Sequence, residues 1–419
     1  MRIVIIGGGS FSTPKLLTFL DSQKTPGTAL EVVLASRSRQ RLEAVTRASR
    51  HLVRGDLEMR AEPISTDRWP QILGGANIVI IQIRVGGFEG RLFDETFPHK
   101  YGLCGDEGLG PSGLSAGWRT WPVLAPMLEA IATFCPRVFV ILLTSPLGSL
   151  VRASLAYADL NLVGICELPW TTLQALGESV GLQSREIQAD YLGVNHLGWF
   201  FNVRSQSRDL LDDLAGRVGS FPDGQFLRTH RCFPTRYLRL HYEADTVLAE
   251  QTSQTPRAEL LGDIQKRSYQ AYATEGTSEI AVAVEARATP WYTDAVGPLL
   301  LAICGDRSDI PFFLSVRNRA YVSFLAPDDI IESPHGWGPE GLVRSRLRDS
   351  VPAHVVECLR PFVQFERVAT EAIVARSIPL LREALSLHPW TRGRAPVRSI
   401  VDEIVSMNDA MRTLDPSRS

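Results

Sequence analysis

The sequence predicts an α/β fold: a Rossmann-like, doubly wound parallel sheet, followed by a second domain of mixed α+β and largely helical character. Three observations lead to this prediction. In the first 170 residues, short β-branched runs alternate with amphipathic stretches, as parallel strands alternate with helices. A glycine-rich segment follows the first run directly. After about Thr172 the stretches become longer and more helical. We therefore place one domain at residues 1–170 and the second at 171–419.

The elements follow from this pattern in order. Five apolar runs predict the strands of the first domain: Ile3 to Ile6, Val32 to Leu34, Ile78 to Ile83, Val138 to Leu143 and Leu162 to Ile165. The amphipathic segments between them predict helices at Pro14 to Leu20, Arg39 to Leu52 and Trp121 to Phe134. The second domain is predicted to have strands near Ile310 to Val316 and Asp329 to Ile331, and one long helix from Phe362 to Leu387. That helix should end before His388, because the residue preceding a proline resists helical geometry.

The composition excludes several classes of protein. The 419 residues carry 44 Lys and Arg against 46 Asp and Glu, so no basic surplus is present to bind a nucleic acid backbone. No apolar stretch approaches the roughly 20 residues that span a bilayer, and the four apolar residues before Gly7 are too few for a signal peptide. Six scattered cysteines without a C-x-x-C pair are typical of a reducing compartment. We expect a cytoplasmic protein that binds neither nucleic acid nor membrane.

The glycine-rich segment joins the first predicted strand to the first predicted helix. Glycine lets the backbone turn sharply and approach a pyrophosphate, whose charge then meets the N–H groups at the helix start. Ser12 stands where the dinucleotide fingerprint has its third glycine, and it is small enough for close packing. A tight turn without a ligand is the alternative. The residues predicted to bind a dinucleotide are Gly7, Gly8, Gly9, Ser10 and Phe11.

The second predicted strand ends without the carboxylate that normally accepts hydrogen bonds from the adenosine ribose. Ser36 and Arg37 occupy this place, with Arg39 close behind. These side chains could instead receive a 2′-phosphate, which would favour NADP over NAD. Solvated arginines at the start of a helix are an equally good interpretation, so either nucleotide remains open.

Polar segments follow several predicted strands, at the edge where an open α/β sheet binds its ligands. Together with the glycine loop they resemble the NAD- and metal-dependent glycoside hydrolases of family 4, especially the 6-phospho-β-glucosidase branch. The matching segments are Gly7 to Pro14, Arg84 to Glu95, Lys100 to Gly102, Asn195 to Leu197, Arg287 to Asp294, Val316 to Asn318, and His388-Pro389. The resemblance extends over nearly the whole chain.

The resemblance implies a divalent metal ion, Mn2+, bound by Cys166 and His196. A thiolate and an imidazole suit a transition ion, with substrate hydroxyls and water as its other ligands. Without the resemblance, a lone cysteine after a strand is more typical of core packing. The spacing of the two residues is not that of a zinc finger.

The resemblance also implies catalytic residues. Tyr292 aligns with the base tyrosine of the family, and Glu107 with an acidic residue that raises the basicity of that tyrosine. Ala288 and Thr289 replace two glycines of the tyrosine motif. Glu167 stands where α-specific members have an aspartate proton donor and β-specific members have asparagine, so a protonated carboxyl could act on the leaving oxygen there. The alternatives are that Tyr292 is an ordinary half-buried aromatic residue and that Glu167 is a surface carboxylate.

The substrate implied by the resemblance is a small anionic or phosphorylated glycoside, held between the two domains. Arg91 matches a substrate-contacting arginine, whose planar donors suit sugar and phosphate oxygens. Ser145 replaces the asparagine of a Thr-Asn-Pro motif and weakens one contact. Asn195 and Arg287 complete the implied contacts. A homodimer or homotetramer is expected.

The implied reaction is oxidation and elimination, in place of a displacement by two carboxylates. Hydride leaves C3 of the sugar for the nicotinamide, Tyr292 removes the C2 proton, the aglycone leaves C1, and water and hydride are then added. The expected activity is hydrolysis of O-glycosidic bonds, with 6-phospho-β-glucosides as first candidates. An α-glycosidase using Glu167 as acid, a sugar dehydrogenase and a non-catalytic nucleotide-binding protein are the alternatives.

Overall fold

The computed structural model describes residues 1–217, 221–274, 276–305, 310–393 and 395–414. In these ranges the strands are β1 Arg2–Ile6, β2 Glu31–Ser36, β3 Glu58–Pro63, β4 Ile78–Ile81, β5 Phe139–Leu142, β6 Asn161–Ile165, β7 Gln188–Val194, β8 Leu197–Ser205, β9 Arg208–Asp209, β10 Cys232–Pro234, β11 Phe312–Arg317, β12 Ile330–Gly338 and β13 Gly341–Arg344. The helices of the first half are α1 Thr13–Gln23, α2 Arg39–Leu52, α3 Trp69–Leu73, α4 Gly87–Thr96, α5 Gly110–Phe134, α6 Leu147–Tyr157 and α7 Leu168–Val180. Those of the second half are α8 Leu210–Ala215, α9 Gly224–His230, α10 Arg239–Tyr242, α11 Ala244–Ser253, α12 Arg257–Thr274, α13 Thr277–Glu285, α14 Gly297–Ile303, α15 Ala353–Ala375, α16 Ile378–Leu387 and α17 Val397–Leu414, and a π-helical turn spans Trp291–Val296.

The strands of the described chain form one continuous sheet. Its parallel part has the order β3-β2-β1-β4-β5-β6, which is the order of a doubly wound nucleotide-binding sheet. Beyond β6 the sheet continues with antiparallel pairing through β11-β12-β7-β8-β10. The predicted fold class is therefore confirmed. The division into two domains at residue 170 stays a prediction, since the sheet itself runs across that position.

The parallel strands are buried on both faces, which explains their continuous apolar runs. Val4 and Ile6 of β1 pack on one face, in a core that includes residues of α5 and α6. Ile3 and Ile5 pack on the other face, in a core that includes residues of α1 and α12. Successive residues of a strand point to opposite faces, so the four residues after Arg2 in this strand are apolar on both faces.

Six strands of the described sheet were not predicted, namely β3, β7, β8, β9, β10 and β13. β3 is a largely polar edge strand with the sequence EMRAEP, and it lacks the apolar run that marks a buried strand. β7 and β8 form a hairpin in which most successive residues are buried, so the alternation typical of an antiparallel strand is absent. The antiparallel part of the sheet is consequently larger than the sequence indicated.

Two predicted helices have different bounds because of prolines. The helix predicted from Phe362 to Leu387 is two helices: α15 ends before Arg376, which has a φ of +53°, and α16 begins with Pro379 in its first turn. A proline there is favourable, because its missing N–H would be unpaired in any case. Conversely, α5 begins at Gly110, well before the predicted start at Trp121, and continues through Pro122.

The parallel strands point their carboxyl ends toward one edge of the sheet, and the polar segments follow there. The glycine loop follows β1, Ser36 ends β2, and Arg84 comes shortly after β4. Ser145 follows β5 and Cys166 follows β6. No helix within the described ranges is long and apolar enough to cross a membrane.

Candidate active site

The glycine loop packs closely against neighbouring backbone. Gly7 has a φ of +89°, and a Cβ there would lie 2.4 Å from the carbonyl oxygen of Gln82. A Cβ on Gly9 would lie 2.7 Å from Ser36 Oγ. The Tyr269 hydroxyl of α12 donates to the Gly9 carbonyl at 2.7 Å and fixes the loop from the second half of the chain. The loop therefore offers the close backbone approach that a pyrophosphate requires.

The remaining residues of the predicted nucleotide site lie beside this loop. Gly8 donates to the carbonyl oxygens of both Ile5 and Ala35, and Ser10 donates from its N–H to Gly7. Phe11 is buried, with its ring edge-on to Phe88 and Tyr269. Arg37 is exposed in the turn between β2 and α2.

Tyr292, the predicted base, lies beneath the glycine loop. Its hydroxyl donates to Gln82 Oε1 at 2.6 Å, and the amide of Gln82 donates to Thr13 Oγ1 and the Gly7 carbonyl. Burial raises the pKa of Tyr292. Among the described contacts of Tyr292, none is to Cys166 or His196, so this geometry favours a role at the nucleotide loop.

Glu107 is held between two arginines. Arg84 and Arg91 each place a guanidinium nitrogen near Glu107 Oε2, at 2.5 and 2.9 Å, and Arg91 also pairs with Glu95 at 2.6 Å. Burial alone would raise the pKa of Glu107, but the two guanidinium groups lower it to about 2. Glu107 is therefore an ionised carboxylate that orients Arg84 and Arg91.

Arg287 adds a third positive charge beside this cluster. Its guanidinium lies over the rings of Trp291 and Phe11, 4.5 and 5.6 Å from the ring centroids. Its Nε is buried without a hydrogen-bond partner among the described residues. Burial, followed by repulsion from Arg84 and Arg91, lowers the pKa of Arg287 to about 10. An anion bound here would relieve the repulsion and pair with the open donor.

His196 lies in a two-residue turn between β7 and β8. Its φ of +69° is uncommon for a residue other than glycine. Thr235 fixes the turn by donating from Oγ1 to the His196 carbonyl at 2.8 Å. The buried Nδ1 of His196 has no hydrogen-bond partner among the described residues, and the nearest oxygen of Asp106 is 3.8 Å away.

Cys166 follows β6 and lies beside Glu167. Its thiol donates to Glu167 Oε2 and accepts from the Leu168 N–H, both at 3.5 Å. Burial raises the pKa of Cys166 well above its usual value, and the charge of Glu167 raises it further. The thiol is therefore protonated unless a cation is bound beside it.

Cys166 and His196 supply two donor atoms of the kind that transition metals bind. Within the described ranges, no group of three or more His, Cys, Asp and Glu side chains is arranged to hold a metal ion. A buried imidazole nitrogen without a partner and a buried thiol fit an ion that completes its coordination with substrate oxygens and water.

Tyr237 is a site residue that the sequence analysis missed. Its ring stacks on His196, with the centroids 4.5 Å apart and the planes 11° from parallel. Burial raises the pKa of Tyr237 well above its usual value, and Asp106 raises it further. The residue follows β10, whose pairing with β8 brings it to His196. No spacing or charge pattern in the sequence connects it to the other site residues.

Glu332 is a second missed residue. This fully buried carboxylate of β12 accepts hydrogen bonds from Tyr191 at 2.6 Å and from the amide of Asn195 at 3.4 Å. Burial raises the pKa of Glu332 to about 7. Asn195, predicted to contact substrate, thus also ties the turn that carries His196 to β12.

Ser145 lies after β5, where a cis peptide bond joins it to Pro146. The preceding Thr144 accepts a hydrogen bond from the Ile83 N–H at 3.1 Å, which joins the ends of β4 and β5. Ser145 thus reaches the same edge of the sheet as Cys166.

Two family models match the chain. The first is described as family 4 glycosyl hydrolase and matches residues 2–182. The second is described as the C-terminal domain of family 4 glycosyl hydrolases and matches residues 191–391. Together they cover most of the sequence.

Several known proteins are similar over nearly their whole length. A Bacillus subtilis strain 168 protein named as a probable 6-phospho-beta-glucosidase is 27% identical, over 98% of this chain and 97% of its own. The structure of the Thermotoga maritima 6-phospho-beta glucosidase with manganese, NAD+ and glucose-6-phosphate has a TM-score of 0.84 at 23% identity, and covers 98% of this chain and 99% of its own. A 6-phospho-alpha-glucosidase from gut microorganisms with NAD and Mn2+ has a TM-score of 0.80 at 18% identity, and covers 98% of both chains.

Proposed function

Because the chain belongs to family 4 of the glycosyl hydrolases, we propose that it hydrolyses the O-glycosidic bond of a phosphorylated sugar with a nicotinamide dinucleotide and a divalent cation. A 6-phospho-β-glucoside and Mn2+ are the first candidates for substrate and cation, in keeping with the names of relatives and the contents of neighbouring structures, in which the nucleotide is NAD. The observation that carries the proposal is the stack of Tyr237 on His196, which puts a phenol beside one of the two proposed metal donors.

The arginines near Glu107 support an anionic substrate. Arg84 and Arg91 are already oriented by carboxylates, whereas Arg287 has an unpaired buried donor. A phosphate with several acceptor oxygens could bind all three guanidinium groups at once. We assign Arg91 and Arg287 to the phosphorylated sugar on this ground, with Glu107 as the residue that positions Arg84 and Arg91.

The bound nucleotide and cation would supply one part of the chemistry, and the side chains of the protein supply the other. When bound, the nicotinamide accepts the hydride from C3, and the cation at Cys166 and His196 polarises the resulting keto group and lowers the pKa of nearby acids. With its pKa lowered in this way, Tyr237 would be a phenolate, and its oxygen would remove the C2 proton. In this proposal Tyr237 takes the role that the resemblance gave to Tyr292, which instead supports the nucleotide loop through Gln82.

Glu167 favours one alternative, an α-glycosidase of the same family. Its carboxylate lies 3.5 Å from Cys166 Sγ and could protonate the leaving oxygen of an α-glycoside. A relative from Clostridium acetobutylicum that is 22% identical is named as a phospho-alpha-glucosidase. In a Glu167→Gln variant, activity should fall strongly for poor leaving groups if Glu167 is the acid, and little for activated leaving groups.

A panel of chromogenic α- and β-glucosides, with and without a 6-phosphate, tests the proposal. Each is assayed with nucleotide and Mn2+, and with either one omitted. We expect hydrolysis only of phosphorylated substrates, with both additions, and incorporation of solvent deuterium at C2. Hydrolysis that needs neither nucleotide nor metal and incorporates no deuterium would contradict the proposed reaction.

Two further expectations belong to this proposal. The enzyme should act in the cytoplasm, where sugar phosphates occur, and should form a homodimer or homotetramer. Light scattering of the purified chain measures the second, and a monomeric mass would contradict it.

A further inference from the structure

We propose that the adenosine end of the nucleotide site binds a 2′-phosphate through Ser36 and Arg41, with Arg37 and Arg39 adding positive charge, so that this protein binds NADP more tightly than NAD. The inference rests on the proposed function only in that it requires a dinucleotide in the glycine loop.

The residues at the end of β2 suit a phosphate better than a ribose hydroxyl. In this fold an acidic residue near that point accepts hydrogen bonds from the ribose hydroxyls of NAD, whereas an arginine accommodates the extra phosphate of NADP. Here β2 ends at Ser36, and the following residues up to Leu42 include three arginines and no carboxylate. The hydrogen-bond acceptor for a ribose hydroxyl is thus replaced by donors that suit a phosphate.

Ser36 and Arg41 lie next to the glycine loop. A Cβ on Gly9 would lie 2.7 Å from Ser36 Oγ and 3.6 Å from the Cβ of Arg41. The guanidinium of Arg41 lies 5.5 Å from the ring centroid of Tyr269, and the hydroxyl of that tyrosine bonds to the Gly9 carbonyl. Ser36 and Arg41 therefore line the loop itself.

Arg39 and Arg41, near the end of β2, carry charge that no carboxylate in the described part of the chain neutralises. Arg41 contacts an aromatic ring, and within the described ranges neither Arg39 nor Arg41 has an ion-pair partner. The acidic residue beside the end of β2 on the neighbouring strand, Glu62, is paired with Arg68. Arg39 and Arg41 therefore supply positive charge beside the loop, which favours a dianionic phosphate over a ribose hydroxyl.

Direct binding of the reduced nucleotides tests this inference without any turnover. The full-length protein, free of metal and sugar, is titrated with NADPH and with NADH while nicotinamide fluorescence is followed. Hydrogen bonds to charged groups contribute enough that we expect NADPH to bind at least about tenfold more tightly. Ser36→Asp places a carboxylate where NAD sites carry one and should reverse the preference.

Arg41→Ala and Arg50→Ala form a matched pair on helix α2. Arg41→Ala should weaken NADPH by about tenfold and leave NADH within about twofold. Arg50 is exposed in the last turn of the helix, about 14 Å along its axis from Arg41, so its removal should change neither affinity. An equal loss in both variants would mean that only the general charge matters, and would overturn the subsite.

The outcomes separate this inference from the proposed function. If NADH binds as tightly as NADPH or more tightly, the subsite is wrong while the dinucleotide site stands. If neither nucleotide binds, the dinucleotide site itself is wrong, and the proposed function falls with it.

Discussion

The two ends of the candidate active site are assembled in different ways. The nucleotide end is built around one β-turn-α unit, in which residues 7 to 13 contact one another and the ends of two neighbouring strands, and Tyr269 and Tyr292 support it from the second half of the chain. The metal end brings together Cys166, His196 and Tyr237, which follow β6, β7 and β10. The first end depends on local backbone conformation and the second on long-range antiparallel pairing. The two ends should therefore respond separately to substitution.

The largest effect should come from the phenol at the metal end. Tyr237→Phe removes the proposed base and should lower kcat by about 10³-fold, in the range of a lost general base. Deuterium exchange at C2 should fall equally. Tyr292→Phe is the matched control: it should weaken nucleotide binding through Gln82 and leave the exchange rate within about tenfold, since a single neutral hydrogen bond is lost. The reverse ranking of these two variants would return the base to Tyr292.

The second largest effect should come from removal of the Cys166 thiol. Cys166→Ala leaves His196 as the single proposed protein ligand, so Mn2+ affinity in the sugar-free protein should fall by at least about 100-fold, beyond what loss of an outer-shell partner costs. Calorimetric titration with MnCl2 measures this, and NADH and NADPH affinities should be unchanged. Cys304→Ala, a substitution at the end of α14, should alter neither. Undiminished Mn2+ binding by Cys166→Ala would exclude the thiol as a ligand.

A smaller effect is expected from Glu332, which accepts a hydrogen bond from Asn195 in the turn that carries His196. Glu332→Gln keeps the shape of the side chain but removes the charge, and Mn2+ affinity should fall by about 10- to 100-fold, as for other outer-shell partners. Glu340→Gln, in the exposed turn between β12 and β13, is the control. If melting temperature changes while Mn2+ affinity does not, Glu332 has a structural role alone.

The smallest effect should come from the nucleotide end. Gly9→Ala introduces a Cβ 2.7 Å from Ser36 Oγ, so the loop or the serine must shift. Overpacking of this kind costs about 1–3 kcal/mol, which corresponds to roughly a tenfold loss or more of nucleotide affinity. Mn2+ binding should not change. Gly262→Ala, where the added Cβ has no contact closer than 3.8 Å, should bind both ligands normally. If Gly9→Ala lost nucleotide affinity and Mn2+ affinity to the same extent, the two ends would not respond separately.

The same contrast explains how much the sequence could predict. α2 has its predicted bounds, Arg39–Leu52, because Ser38 caps it and its apolar face is regular. The glycine loop was recognisable because its residues are consecutive. Tyr237 and Glu332 were not, since strand pairing across distant segments brings them to Asn195 and His196, and that pairing leaves no periodic signal.

Prediction from local sequence also failed where a proline could stand either at the start of a helix or after its end. Pro389 correctly marked the end of a helix at Leu387, yet Pro379 starts a new helix inside the predicted one. A proline is compatible with the first turn of a helix and also with the residues after its end. Only the left-handed conformation of Arg376 distinguishes the two cases here, and no residue type favours that conformation strongly enough to predict it at an arginine.

The left-handed turn at His196 sets activity and stability against each other at one residue. Glycine or asparagine adopts this backbone conformation more readily, and an L-residue with a bulky side chain loses roughly 1–2 kcal/mol of folding free energy by adopting it. A population selected only for thermal stability should therefore lose the imidazole early. A population selected for catalysis should keep it and gain its stability elsewhere in the fold.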